Sequence, residues 1–144
     1  MSRQLSQKIR RTVAERAGRR CEYCLAPLRF SSSPFSVEHI IPRAKRGTDE
    51  LENLAFACQG CNTPKWTYVE AFDPVSGQMV PLFHPRKDRW NDHFDWLDDF
   101  TRVIAKTAVG RVTIERLQLN RDQLIELRSL LRMAGVHPQA VSAE

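Results

Sequence analysis

Two Cys-x-x-Cys pairs, separated by 33 residues, constrain this chain more than any other feature of its sequence. The pairs are Cys21/Cys24 and Cys58/Cys61, and they contain all four cysteines of the chain. This spacing lets both sulfurs of a pair reach one ion, and four thiolates form the donor set of a structural zinc site. Such a site is closed by its four sulfurs. We therefore expect one structural zinc ion that holds together the two ends of the intervening segment.

The segment framed by these pairs carries a histidine, a carboxylate and two amides in a recognisable order. The stretches concerned are Val37-Glu38-His39-Ile40-Ile41-Pro42, Glu52-Asn53-Leu54 and Cys61-Asn62-Thr63-Pro64-Lys65. A neutral imidazole can accept a proton from water at physiological pH, and oxygen ligands suit a hard divalent cation. These residues therefore have the chemistry needed to activate water beside a metal ion.

The same residues resemble the HNH endonucleases, the ββα-metal nucleases, over about residues 18–66. His39, Asn53 and Asn62 match the members of the family's His-Asn-His/Asn signature. The resemblance implies that His39 is the general base and that Asn53 orients the broad loop by hydrogen bonds to the backbone. It also implies that Glu38 and Asn62 hold one Mg²⁺ or Mn²⁺ ion, and that DNA is cut to 5′-phosphate and 3′-hydroxyl ends.

Adjacent residues on a regular strand point to opposite faces, so Glu38 and His39 can serve one site only at a bend or a strand edge. Other interpretations remain open for each residue. Glu38 can be a surface glutamate, Asn62 can cap a helix, and Lys65 can contact a phosphate or lie on a solvated face. Two other classes of function are also open: a non-catalytic, zinc-stabilised nucleic-acid-binding module, and a protein-interaction module.

Basic residues are concentrated in the first part of the chain. Residues 1–50 contain 11 basic and 5 acidic residues, a net charge of +6, whereas residues 51–144 have a net charge of −1. A basic surface beside the candidate site favours a polyanionic partner, and we expect DNA. The residues predicted to contact nucleic acid are Lys8, Arg10, Arg11, Arg43, Lys45, Arg46 and Lys65.

Hydrophobic periodicity predicts an α+β fold with a single domain over residues 1–144. An N-terminal helix covers about residues 4–17, and a hairpin and helices form the extension at about 67–144. Between them, the resemblance implies a ββα-metal core with the four-cysteine module over about residues 18–66. The predicted core strands are residues 35–41 and 53–57, and Asn120 is the predicted N-cap of the last helix. The sequence shows neither an apolar run long enough to span a membrane nor a secretory signal, so we expect a cytoplasmic protein.

Overall fold

The computed structural model describes residues 4–138 of the chain. Helices alternate with short strands, which pair as three separate two-stranded antiparallel sheets within these residues. This arrangement confirms the predicted α+β class. The elements, in chain order, are α1 Gln7–Arg16, β1 Ser36–His39, β2 Leu54–Ala57, α2 Gln59–Lys65, β3 Glu70–Asp73, β4 Gln78–Pro81, α3 Trp90–His93, β5 Phe94–Trp96, β6 Val103–Ala105, α4 Ala108–Leu117 and α5 Asp122–Met133.

Helix α1 forms where the apolar residues recur every four positions, as predicted. Its N-terminus is capped by Ser6, whose hydroxyl accepts a hydrogen bond from the backbone N–H of Ile9 at 3.2 Å. The buried side chain of Val13 packs with Leu54 and Phe56 of β2. The apolar face of α1 therefore covers one face of the β1–β2 pair and leaves its basic residues outside.

The β1–β2 pair is antiparallel, with Ser36 opposite Ala57 and His39 opposite Leu54. Its second face belongs to the main core, where Ala55 and Ala57 are fully buried among the cysteines. The pair thus lies between α1 on one side and the cysteine cluster with α2 on the other. His39, the last residue of β1, lies at the edge of the core, where its side chain is partly exposed.

The C-terminal extension packs against the cysteine module through its aromatic segment. The indole N–H of Trp90 donates a hydrogen bond to the backbone carbonyl of Tyr23 at 2.9 Å. The β3–β4 hairpin forms around the predicted turn, with Asp73 opposite Gln78. The hairpin confirms the sequence-based prediction for this part of the chain.

Two local predictions were wrong. Asn120 does not cap α5, because Arg121 occupies the N-cap position. The Asn120 side chain instead forms two hydrogen bonds with the backbone of Val103, at 2.8 and 2.9 Å, and so fastens β6. Proline is expected only in the first turn of a helix, yet α2 begins at Gln59 and Pro64 lies in the second turn. Pro64 has no N–H to donate to the carbonyl of Gly60, four residues earlier, and the helix ends one residue later.

None of the helices within residues 4–138 is both long and apolar enough to cross a membrane. The predicted single domain extends past both ends of the described residues, and its extent stays a prediction.

Candidate functional site

The four cysteine sulfurs form one buried cluster. All four Sγ atoms lie within 4.8 Å of one another, and Cys24 Sγ and Cys58 Sγ are 3.7 Å apart. That separation is too long for a disulfide bond, which is about 2.05 Å. A tetrahedral zinc ion with Zn–S bonds of about 2.3 Å separates its sulfurs by about 3.8 Å. The cluster therefore fits a zinc ion.

Local backbone structure brings the two cysteine pairs together. The first pair lies in a tight turn, in which the Leu25 N–H donates to the carbonyl of Cys21 at 2.9 Å. In the second pair, Cys58 is the N-cap of α2 and Cys61 lies in its first turn. The ion would thus link this turn to the start of α2, as the spacing of the two pairs predicts.

His39 ends β1 with a side chain that is 17% exposed, and its Nε2 lies 2.7 Å from Oδ1 of Asp49. Hydrogen bonds from Arg43 and His39 hold the pKa of Asp49 below its usual range, so Asp49 is a carboxylate at neutral pH. A carboxylate can only accept a hydrogen bond, and Nε2 must therefore carry the proton. In a neutral imidazole this leaves the Nδ1 lone pair as the proton acceptor.

Arg43 binds the same carboxylate oxygen. Its Nε and one terminal nitrogen each lie 3.0 Å from Oδ1 of Asp49. Arg43 therefore helps to hold the His39 partner in place, a role that the sequence did not predict. The neighbouring basic residues Lys45 and Arg46 are exposed and remain candidates for phosphate contacts.

Asn53 fastens the loop between β1 and β2. Its side chain accepts a hydrogen bond from Ile41 N at 2.9 Å and donates to the carbonyls of Ile41 and Thr48 at 3.0 and 2.8 Å. A Cβ atom at Gly47 would lie 1.6 Å from the Ile41 carbonyl oxygen, so only glycine lets the loop close here. These contacts set the position of the segment that carries Asp49.

Glu38 lies on the opposite face of β1 from His39, in a buried polar cluster with Lys65 and Tyr23. The exposed fraction is 6% for Glu38 and 1% for Lys65. Lys65 Nζ donates to Glu38 Oε1 at 3.1 Å and to the Ile40 carbonyl at 3.0 Å, while the Tyr23 hydroxyl donates to Glu38 Oε2. Burial raises the pKa of Glu38, and its two partners oppose that shift.

This cluster corrects two expectations. Lys65 is neither a phosphate contact nor part of a solvated face, because its ammonium group is buried and neutralises Glu38. Glu38 is not open to a divalent cation, because Lys65 and Tyr23 occupy both of its oxygens. Such a buried pair is costly to break, since removing one partner leaves an uncompensated charge.

Asn62 is the fourth residue of α2 and therefore does not cap that helix. Its side chain is half-buried, and within residues 4–138 it forms no hydrogen bond. Asn62 remains able to offer an amide oxygen, but its expected co-ligand Glu38 is engaged elsewhere. The residues expected to bind magnesium or manganese thus do not fit that ion in this arrangement.

The cysteine cluster, His39 and Asn53 all lie within one segment that matches a known protein family. Residues 21–66 match the HNH endonuclease family. This HNH segment ends at Trp66, directly after α2, and the match does not include the C-terminal extension. The family resemblance drawn from the sequence is thereby confirmed for the ββα core.

The chain is also similar to parts of longer proteins. It is 28% identical over 115 residues to the ubiquitin carboxyl-terminal hydrolase calypso of Drosophila persimilis. This match covers 72% of the chain and 24% of that protein. The chain is also 30% identical over 95 residues to the Septu protein PtuA of Bacillus mycoides (strain KBAB4). This second match covers 56% of the chain and 13% of that protein. The chain thus spans about a quarter or less of the length of these relatives. No solved structure matches it.

Asp49 is the residue at this site that sequence reasoning missed. Asp49 follows Gly47-Thr48 and precedes Glu50, so the loop contains two adjacent acidic residues. Either of them could be the partner of His39. Their spacing from His39 does not distinguish them. Only the folded loop, closed by Asn53, places the Asp49 carboxylate against the imidazole.

Proposed function

We propose that this chain is an endonuclease that hydrolyses phosphodiester bonds in DNA, with His39 as the general base. The observation that carries the proposal is the 2.7 Å contact between His39 Nε2 and the Asp49 carboxylate within the HNH segment. Because Nε2 donates to Asp49, Nδ1 is left to accept a proton from an attacking water. Loss of that proton makes the water a nucleophile toward phosphorus.

The remaining site residues have supporting roles. Asn53 holds the loop that carries Asp49, and the cysteine cluster holds a structural zinc ion that ties the first turn to α2. The family resemblance predicts magnesium or manganese as a second cofactor, bound by Glu38 and Asn62. Because Glu38 does not fit that ion in the described arrangement, no step of the reaction is assigned to it.

One observation favours a second candidate, a non-catalytic zinc-stabilised module that binds nucleic acid. The carboxylate of Glu38 is held by Lys65 and Tyr23, as in a purely structural core.

Cleavage of supercoiled plasmid separates the two candidates. The purified protein is incubated with DNA in magnesium, in manganese and in a chelator at a concentration that spares the buried zinc. An endonuclease converts the supercoiled form to nicked or linear DNA, and the ends carry a 5′-phosphate. DNA binding with no cleavage under any of these conditions would instead establish the non-catalytic module. Single-stranded DNA and RNA in parallel reactions define the substrate class.

Charge reversal on α1 tests the DNA-binding surface. Lys8, Arg10 and Arg11 are exposed on α1. We expect Arg10→Glu with Arg11→Glu to weaken binding equally for unrelated DNA sequences, since phosphate contacts carry no sequence information. The slope of log K against log salt should fall by about one unit per lost contact.

The matched control for this experiment reverses two exposed arginines of the C-terminal extension, Arg102→Glu with Arg132→Glu. It changes the net charge by the same amount at a different place. If both double variants weaken binding equally, the effect is one of net charge and α1 is not the contact surface. Fluorescence anisotropy over a salt series measures both the DNA affinity and its salt dependence.

A further inference from the structure

Asp49 is poised to act on the reaction through His39. The Asp49–His39 contact is short, at 2.7 Å, and both side chains are partly shielded, with exposed fractions of 30% and 17%. Arg43 binds the same carboxylate oxygen through two nitrogens, each at 3.0 Å. The carboxylate is therefore held in one place rather than free to turn away.

We propose that Asp49 is a positioning residue that sets the tautomer and orientation of the His39 imidazole for proton abstraction. The inference rests on the proposed nuclease function. A carboxylate bound to Nε2–H keeps the Nδ1 lone pair available and stabilises the imidazolium that forms when the proton is taken up. Asp49 remains ionised throughout, and the proton from water goes to Nδ1 alone.

Asp49→Asn removes the charge while it keeps the size of the side chain, and Asp49→Ala removes the contact. We expect both to lower kcat by about 10- to 100-fold, less than the loss of the base itself at roughly 10²–10⁴, with KM and DNA affinity unchanged. Glu52→Gln is the matched control, because Glu52 is an exposed acid of the same loop. It should cleave at the wild-type rate.

Nitrogen NMR of the His39 ring supplies a readout that does not need catalysis. The wild type should show a protonated Nε2 and an unprotonated Nδ1, and Asp49→Ala should show a mixture of tautomers. Unchanged tautomer and unchanged kcat in both Asp49 variants, beside an active wild type, would overturn the positioning role alone. A wild type that never cleaves would overturn the proposed function, while the ring signals would still test the contact.

Arg121 supports a second inference, which is independent of the nuclease proposal. Its guanidinium reaches the second cysteine pair, with one nitrogen 3.5 Å from Cys58 Sγ and another 3.6 Å from Cys61 Sγ. The space it fills exists because residue 60 is glycine. A Cβ atom there would lie 2.3 Å from the same guanidinium.

We infer that Arg121 is an outer partner of the zinc site, through which the C-terminal extension stabilises the bound ion. Four thiolates around Zn²⁺ carry a net charge of −2, and N–H···S hydrogen bonds from a cation offset part of it. Arg121 lies at the start of α5, well outside the HNH segment. The zinc site would then be complete only when that helix is docked.

Zinc transfer to a colorimetric chelator tests this role without any activity assay. Arg121→Gln should lose zinc about 10- to 100-fold faster, the size of effect typical of such outer partners. Gly60→Ala should act in the same direction, because its methyl group displaces the guanidinium although alanine is the better helix former. Arg132→Gln, on the exposed side of α5, is the control and should retain zinc as the wild type does.

Gly60→Ala keeps the arginine and changes only its position. This variant therefore still tests the role of the guanidinium if Arg121→Gln fails to fold. Zinc loss at the wild-type rate in Gly60→Ala, with a native circular dichroism spectrum, would show that the guanidinium does not stabilise the ion. Faster loss in Gly60→Ala but not in Arg132→Gln supports the inference.

Discussion

His39→Ala is expected to abolish DNA cleavage while zinc content, thermal stability and DNA affinity stay near those of the wild type. A general base lowers the barrier of the reaction and need not hold the fold together. Positioned proton transfer is worth about 10²–10⁴ in rate, so only trace activity should remain. The side chain is partly exposed and its described polar contact is with Asp49, so its removal disturbs little of the core. Plasmid cleavage rates with matched melting curves measure the effect.

His39→Gln is the sharper companion variant. The glutamine amide nitrogen has about the reach of Nε2 and can still donate a hydrogen bond to Asp49, but the amide cannot accept a proton at neutral pH. We expect it to be as inactive as His39→Ala and to retain the loop contact. Wild-type-like cleavage by either variant, when correctly folded, would point to a different base or to a contaminating nuclease. Preparing the wild type and each variant in parallel shows whether a contaminating nuclease is the source of any cleavage.

Cys58→Ser is expected to produce the largest loss of stability in this chain. The wild type should contain about one zinc ion, as four buried sulfurs in a tetrahedral cluster require. Binding free energy at such sites is folding free energy, about 10–16 kcal/mol in zinc-finger peptides. That exceeds or equals the roughly 5–15 kcal/mol of net stability of a typical domain. The variant should therefore lose its zinc and its cooperative thermal transition.

Ala57→Ser is the matched control for the cysteine variant. It places the same hydroxyl at a neighbouring position that is fully buried, without removing a ligand. It should be less stable than the wild type but still bind zinc. Elemental analysis and circular dichroism distinguish the two variants. A wild type that folds without zinc, with freely reactive thiols, would contradict the role assigned to the cluster.

Local patterns in the sequence were enough to predict much of the fold. The four-residue apolar repeat predicted α1, and the β-branched stretches around His39 predicted β1, because these signals depend on neighbours along the chain. The two cysteine pairs predicted a cluster that links residues far apart, since one ion satisfies both. The HNH match over residues 21–66 agrees with that prediction. The roles of His39 and Asn62 and the extent of the domain stay predictions.

Tertiary structure decided which polar side chains are available for chemistry. A charged residue in a sequence gives no sign of its partner, and the partners here come from distant elements. Lys65 of α2 pairs with Glu38, and Arg121, the N-cap of α5, contacts Cys58 and Cys61. The sequence by itself determined the ββα core, the cluster of four cysteines and the candidate base. The burial of Glu38 and the contact of Asp49 with His39 arise only when the loop closes and α2 docks, because desolvation and ion pairing depend on positions in space rather than along the chain.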